Sequence, residues 1–126
     1  RTAEDLIQEF LPGPLTVIVE KRPIISDFLS AGTNKIGIRI PDHPVALEII
    51  REFGRPITTT SANISGKPEP FEVGSAVEQL GDLVSMAIDS GRSESGGPST
   101  VVDLTEGFDI LREGPISESE IRSFLK

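Results

Sequence analysis

The chain has 126 residues, a net charge of −8, one histidine and no cysteine. The absence of cysteine excludes disulfides, zinc ribbons and thiol nucleophiles, and a lone His43 leaves no histidine cluster for a metal or a His-based triad. The acidic balance, with six Phe and no Trp or Tyr, weighs against a broad nucleic-acid surface, which neutralises phosphates with basic side chains and stacks bases on aromatics. A local basic pocket stays open, and no apolar run approaches the roughly 20 residues of a membrane span. The length suits one domain over residues 1–126, expected to be cytoplasmic and free of membrane contact.

Thr2 and Asp5 open a helix with Ala3, Leu6, Ile7 and Phe10 as its apolar stripe, ended by Pro12-Gly13-Pro14. The β-branched run LTVIVE, residues 15–20, predicts a strand. Residues 24–31 predict a short helix stopped by Gly32. In KIGIRIP, residues 35–41, Ile36, Ile38 and Ile40 face one way while Lys35, Gly37 and Arg39 face the other. Pro44 starts a helix carrying Ala46, Ile49, Ile50 and Phe53, closed by Gly54. Residues 56–60 predict a short strand running into TTTSANISGKP. Pro70 then introduces a helix with Val73, Ala76, Val77 and Leu80 inward and Gly81 after it. LVSMAID, STVVDL and FDILRE predict three more strands, and Ser117 with Glu120 forms a capping box for a last helix carrying Ile121, Phe124 and Leu125. Strands interleaved with helices give an α/β fold, and three final strands without intervening helices make its sheet mixed.

Ser61, Asn63, Ser65 and Gly66 follow a predicted strand end, where hydroxyls, an amide and free backbone N–H groups suit an anion or phosphate. A plain polar turn is the alternative. Arg39, on the polar side of its strand with Gly37 leaving space beside it, can clamp a carboxylate or phosphate at two points. It can equally be an exposed strand arginine paired with a surface Glu. The glycine- and serine-rich loop 91–99 lacks the Lys of a P-loop and leads into a strand. Arg112 brings a second positive charge or balances Glu113, and His43 reads first as a capping residue and then as a ligand contact. Periodicity yields no nucleophile or general base, so no catalytic side chain and no metal ligand is assigned.

Five stretches in order, LPGPLTVIV, GIRIPDHP, TTTSANISGKP, GGPSTVVD and ILREGPIS, spread from Leu11 to Ser117 and resemble the YrdC/Sua5 family of L-threonylcarbamoyladenylate synthases. The resemblance implies a YrdC-like twisted, open, mixed sheet flanked by helices with a concave active face. It implies a nucleotidyltransferase that converts L-threonine, bicarbonate and ATP into threonylcarbamoyl-AMP and pyrophosphate. This serves threonylcarbamoyladenosine (t6A) modification at position 37 of tRNA, with a downstream tRNA-modifying transferase complex as partner. By the same resemblance Arg39, Thr59 and Ser99 bind threonine, Ser61, Asn63 and Arg112 bind ATP, and Mg²⁺ accompanies the ATP phosphates.

The chain departs from the family pattern in three places. The family's upstream segment with a Lys-Arg-Pro type motif has no counterpart before Arg1, so the expectation is the C-terminal two thirds or so of a YrdC-like domain, inactive alone. Lys35 stands where the family commonly has a small hydroxyl residue. The Sua5-specific C-terminal domain has no counterpart after Lys126. Three alternatives remain: a truncated, non-catalytic domain held together by a partner chain, a double-stranded RNA or tRNA-binding module of the same fold, and a carbamoyl-adenylate-forming domain related to hydrogenase maturation. The last usually reads Ser-Gly-Asn where this chain has Ser61-Ala62-Asn63.

Overall fold

A computed structural model describes residues 2–93 and 97–125. Residues 94–96 of the glycine- and serine-rich loop lie outside the described residues. The chain divides into two compact units, Arg1–Leu47 with Gly96–Lys126, and Glu48–Ser95.

The first unit is built on a four-stranded sheet. Helix α1 (Thr2–Phe10) leads into strand β1 (Leu15–Glu20), which pairs antiparallel with β2 (Lys35–Ile38). Strand β3 (Thr100–Asp103) runs parallel to β1 on its other side, and β4 (Asp109–Arg112) closes the order β2-β1-β3-β4 antiparallel to β3. Helix α4 (Glu118–Phe124) follows, started by the predicted box: Glu120 N–H donates to Ser117 Oγ and Ser117 N–H donates to Glu120 Oε2. The sheet is therefore mixed and open, as expected, although only two of the three predicted late strands form.

Register sorts the side chains onto two faces, because successive residues of a strand point opposite ways. Leu15, Val17 and Val102 stand on one face and form the buried core with Leu6 of α1 and with Ile116 and Ile121. Phe10 of α1 meets Phe124 of α4 edge to face, with centroids 5.7 Å apart. Gly13 lets the chain turn tightly after α1, since a Cβ there would fall 2.3 Å from the Phe10 carbonyl oxygen. The opposite face carries Thr16, Ile18, Lys35, Gly37, Val101 and Asp103.

The second unit contains most of α2 (Pro44–Phe53), then α3 (Val73–Leu80) followed by a 3₁₀ turn (Gly81–Leu83). Gly54, at φ +69°, ends α2 as predicted, and Gly81 caps α3.

Three predicted elements take other forms. Residues 24–31 are consecutive turns, not a helix: Ile25 and Leu29 N–H reach only three residues back, and Lys21 Nζ takes the Ile25 carbonyl that a helix would use. Residues 56–60 and 83–89 form no strands: 56–60 and 84–89 are exposed chain without regular structure, and Leu83 ends the 3₁₀ turn. A strand exists only where a neighbour completes its hydrogen-bond ladder, and among the described residues nothing pairs with either segment.

Candidate functional site

The polar sheet face of the first unit owes its character to the sequence of β1. In LTVIVE the core takes Leu15 and Val17, which sends Thr16 and Ile18 outward. Beside them β2 presents Gly37, whose missing side chain leaves room: a Cβ there would come within 3.2 Å of Thr16 Cγ2.

Arg112 reaches this face through an irregularity. Val102 pairs with Ile110, yet Val101 pairs with Arg112, so Leu111 is an extra residue in the ladder. Without that bulge, strict alternation would put Arg112 on the core side with Ile110; with it, Arg112 stands opposite Val101 on the polar side. There its Nε donates to the Ser99 carbonyl at 2.9 Å and its Nη2 donates to Ser99 Oγ at 3.3 Å. The guanidinium is thus held by two contacts to one residue while Arg112 as a whole stays exposed. Ser99 is only 4% exposed, and its Oγ also lies 2.7 Å from Thr16 Oγ1.

The loop after β4 is moulded onto the same residues. Buried Thr100 donates from Oγ1 to the Ile116 carbonyl at 2.6 Å and accepts from the N–H groups of Gly114 at 2.9 Å and Ile116 at 3.2 Å. Gly114 packs so tightly against the start of β3 that a Cβ would lie 2.4 Å from Pro98 O and 2.6 Å from Thr100 N. Ser99 is therefore clamped from three sides, by β1, β4 and the loop after it.

A second polar cluster spans the other end of this face. Lys35 of β2 crosses over β1 and donates to Asp103 Oδ2 at 3.0 Å, with Glu106 at 3.7 Å. Asp103 Oδ1 accepts from Thr105 Oγ1 at 2.6 Å and Thr105 N–H at 2.9 Å. Those hydrogen bonds from Thr105, joined by Lys35, hold the Asp103 carboxyl down at about 2. The bond to Asp103 in turn pushes the Lys35 ammonium up.

Arg39 follows β2 directly, exposed, and among the described residues it makes no ion pair. The alternative reading, a pairing with a surface Glu, is not seen among the described residues. His43 precedes α2 and its carbonyl accepts from Leu47 N–H at 2.9 Å, so its backbone serves the helix start.

Thr59, Ser61 and Asn63 belong to the second unit. Thr59 and Ser61 are exposed. Asn63 shapes its own loop: Nδ2 donates to the carbonyls of Ile64 at 3.1 Å and Lys67 at 2.8 Å, and Gly66 makes the turn at φ +83°. Its Oδ1 is buried without a partner among the described residues. Gln79 of α3 fastens the loop, accepting from Ile64 N–H at 3.2 Å and donating to the Pro68 carbonyl at 3.0 Å. Beside Ala62 the unit holds an apolar cavity of about 300 Å³, lined by Phe71, Val77, Leu80, Met86 and Ile88 among others.

Three of the six predicted residues thus lie in each unit, and in the first the structure brings Ser99 and Arg112 into contact. Thr16 and Gly114, which support them, were not singled out from the sequence, and Gly37 was read there only as space beside Arg39. The lone hydroxyl among the β-branched residues of LTVIVE was the available signal for Thr16.

The Sua5–YciO–YrdC family model, described as "Telomere recombination", matches residues 1–114. A Mycobacterium tuberculosis (strain CDC 1551 / Oshkosh) relative is 42% identical over 124 residues, covering 98% of this chain and 57% of its own length. Threonylcarbamoyl-AMP synthase of Pyrococcus abyssi is 37% identical, covering 98% of this chain and 36% of its own length. The crystal structure of P. abyssi Sua5 complexed with L-threonine aligns with 98% of this chain and 36% of its own, at TM-score 0.91 and 35% identity. The chain therefore spans between about a third and three fifths of the length of these relatives. With a matching family model over most of its residues and the family's open mixed sheet, the chain belongs to the Sua5–YciO–YrdC family.

Proposed function

We propose that this chain is the larger part of an L-threonylcarbamoyladenylate synthase domain. Its support is the Ser99–Arg112 arrangement on the polar sheet face, in a chain that aligns along 98% of its length with a protein that binds L-threonine. The relatives' names point the same way.

In this reading L-threonine condenses with bicarbonate, releasing water, and the resulting carbamate oxygen attacks the α-phosphorus of ATP. The bond to the bridging oxygen breaks and pyrophosphate leaves with the electron pair. The nucleophile belongs to the substrate, so the protein supplies position and charge. Arg39 grips the threonine carboxylate with two parallel N–H donors, and Ser99 of the same unit serves that substrate. Arg112 holds the nucleotide. The product then goes to a tRNA-modifying transferase that makes t6A.

Among the described residues no group of three or more His, Cys, Asp or Glu is placed to hold a metal ion. A magnesium ion accompanying ATP would supply charge neutralisation at the substrate's phosphate oxygens.

The test is pyrophosphate release that requires ATP, L-threonine and bicarbonate together, in the protein as encoded. Arg39→Ala is expected to raise the threonine KM roughly 10- to 150-fold, the cost of a lost charged hydrogen bond. It should cost less than about 1 kcal/mol of stability, since the side chain is exposed. Unchanged threonine dependence with a large fall in melting temperature would make Arg39 structural.

A further inference from the structure

Thr16 lies within the stretch LPGPLTVIV, and the proposed reaction assigns it no part. It is half-buried on the polar face of β1, and its hydroxyl lies 2.7 Å from Ser99 Oγ. Its orientation has a steric cause. The methyl group lies toward the space left by Gly37, where a Cβ would come within 3.2 Å of it. The hydroxyl is thereby turned toward β3.

The Thr16–Ser99 bond can run either way, and each direction leaves the Ser99 hydroxyl a different function. A guanidinium only donates, so Ser99 Oγ accepts from Arg112 Nη2 at 3.3 Å. A serine hydroxyl has two acceptor lone pairs and one proton. If Ser99 donated to Thr16, its proton would be spent inside the protein. If Thr16 donates, both acceptor sites of Ser99 are filled and its own proton is the one function left to offer. Ser99 is 4% exposed, which leaves a narrow opening for one such contact.

We propose that Thr16 is a positioning residue: by donating to Ser99 Oγ, together with Arg112, it makes the Ser99 hydroxyl an obligate hydrogen-bond donor toward an anionic group of the amino-acid substrate. Carboxylate and carbamate both accept such a bond, and a neutral analogue without either does not. The proposal rests on the threonine-binding reading of Ser99 given above.

The experiment compares Thr16→Val, Thr16→Ser, Ser99→Ala and the Thr16→Val/Ser99→Ala double variant in the protein as encoded. Threonine KM and kcat are measured by pyrophosphate release, and the Arg112 Nε–H signal is followed by ¹⁵N NMR. Thr16→Val is expected to raise the threonine KM roughly three- to tenfold, the span of one net hydrogen bond, with kcat within about twofold. Thr16→Ser should restore KM, and Thr16→Val should add nothing in the Ser99→Ala background. The Arg112 signal should shift in Thr16→Val and return in Thr16→Ser. Equal KM effects of Thr16→Val in both backgrounds, or an unchanged KM in a folded Thr16→Val, overturns the proposal; Thr16→Ala supplies the same deletion if Thr16→Val does not fold. If the unaltered protein releases no threonine-dependent pyrophosphate, the proposed function fails instead. The Arg112 signal then still decides the role of Thr16: a shift supports it, and no shift overturns it.

Discussion

At the scale of single residues, charge is handled by local pairing. Asp103 is buried at 9% exposure, with Thr105 and Lys35 bonded to its two oxygens. Its carboxyl is held at about 2, below the usual carboxylate range. A depressed folded-state pKa contributes stability that is present above the unfolded value and lost as pH falls through the folded one. The window here runs from about pH 4 down to about pH 2. Asp103→Asn is expected to melt below the unaltered chain at neutral pH, with the gap closing across that window. Thermal melts from pH 7 to pH 2 measure it, and a gap that ignores pH would mean the ionised form is not what the native state favours. In the sequence Lys35 was placed on the polar side of its strand and noted as a departure from the family's small hydroxyl. Its crossing of β1 to reach Asp103 depends on strand order, which no local pattern contains.

At the scale of elements, the segment after β4 is held by close approach as much as by hydrogen bonds. Gly114 is required for space: a Cβ would meet backbone atoms of Pro98, Ser99 and Thr100 at 2.4, 2.8 and 2.6 Å. Backbone cannot rotate out of the way as a side chain can, so Gly114→Ala is expected to cost about 1–3 kcal/mol, the usual range for overpacking. The displacement falls on Ser99, so threonine KM should rise as well. Gly74 in α3 provides the contrast. A Cβ there meets nothing within 4 Å, and Gly74→Ala should stabilise the helix by about 0.5–1 kcal/mol. Chemical denaturation of the two variants checks both signs, and equal effects would remove the packing argument.

At the scale of the whole molecule, the net charge of −8 bears on partners. Nucleic-acid affinity grows with the number of phosphates neutralised, and Asp and Glu outnumber Lys and Arg here by 20 to 12. Direct tRNA binding is therefore expected to be weak, with no retained complex at about 0.15 M salt. A gel-shift or filter assay at several salt concentrations tests this. Retention that falls steeply with salt would favour the RNA-binding alternative over delivery of the product to a separate transferase.

Much of the fold was legible without coordinates, because it is written in local chemistry. The β-branched run 15–20, the alternation in KIGI, the start of α2 at Pro44 and the Ser117–Glu120 box each specify an element from neighbouring residues alone. Residues 56–60 and 83–89 read as strands for the same reason, but a strand also needs a neighbour that sequence pattern does not name. The candidate site divides in the same way. Arg39 sits just past a strand whose faces the sequence reveals, and the polar loop around Asn63 announces its turn with Ser65-Gly66. Arg112 does not fit that scheme. Simple alternation sends it to the core side with Ile110, and only the extra residue Leu111 in the pairing with β3 turns it onto the polar face, where it meets Ser99. That contact joins residues 13 apart, and the Thr16–Ser99 contact joins residues 83 apart. Both depend on strand register, which is set by how two strands bury their faces together and is absent from either strand alone.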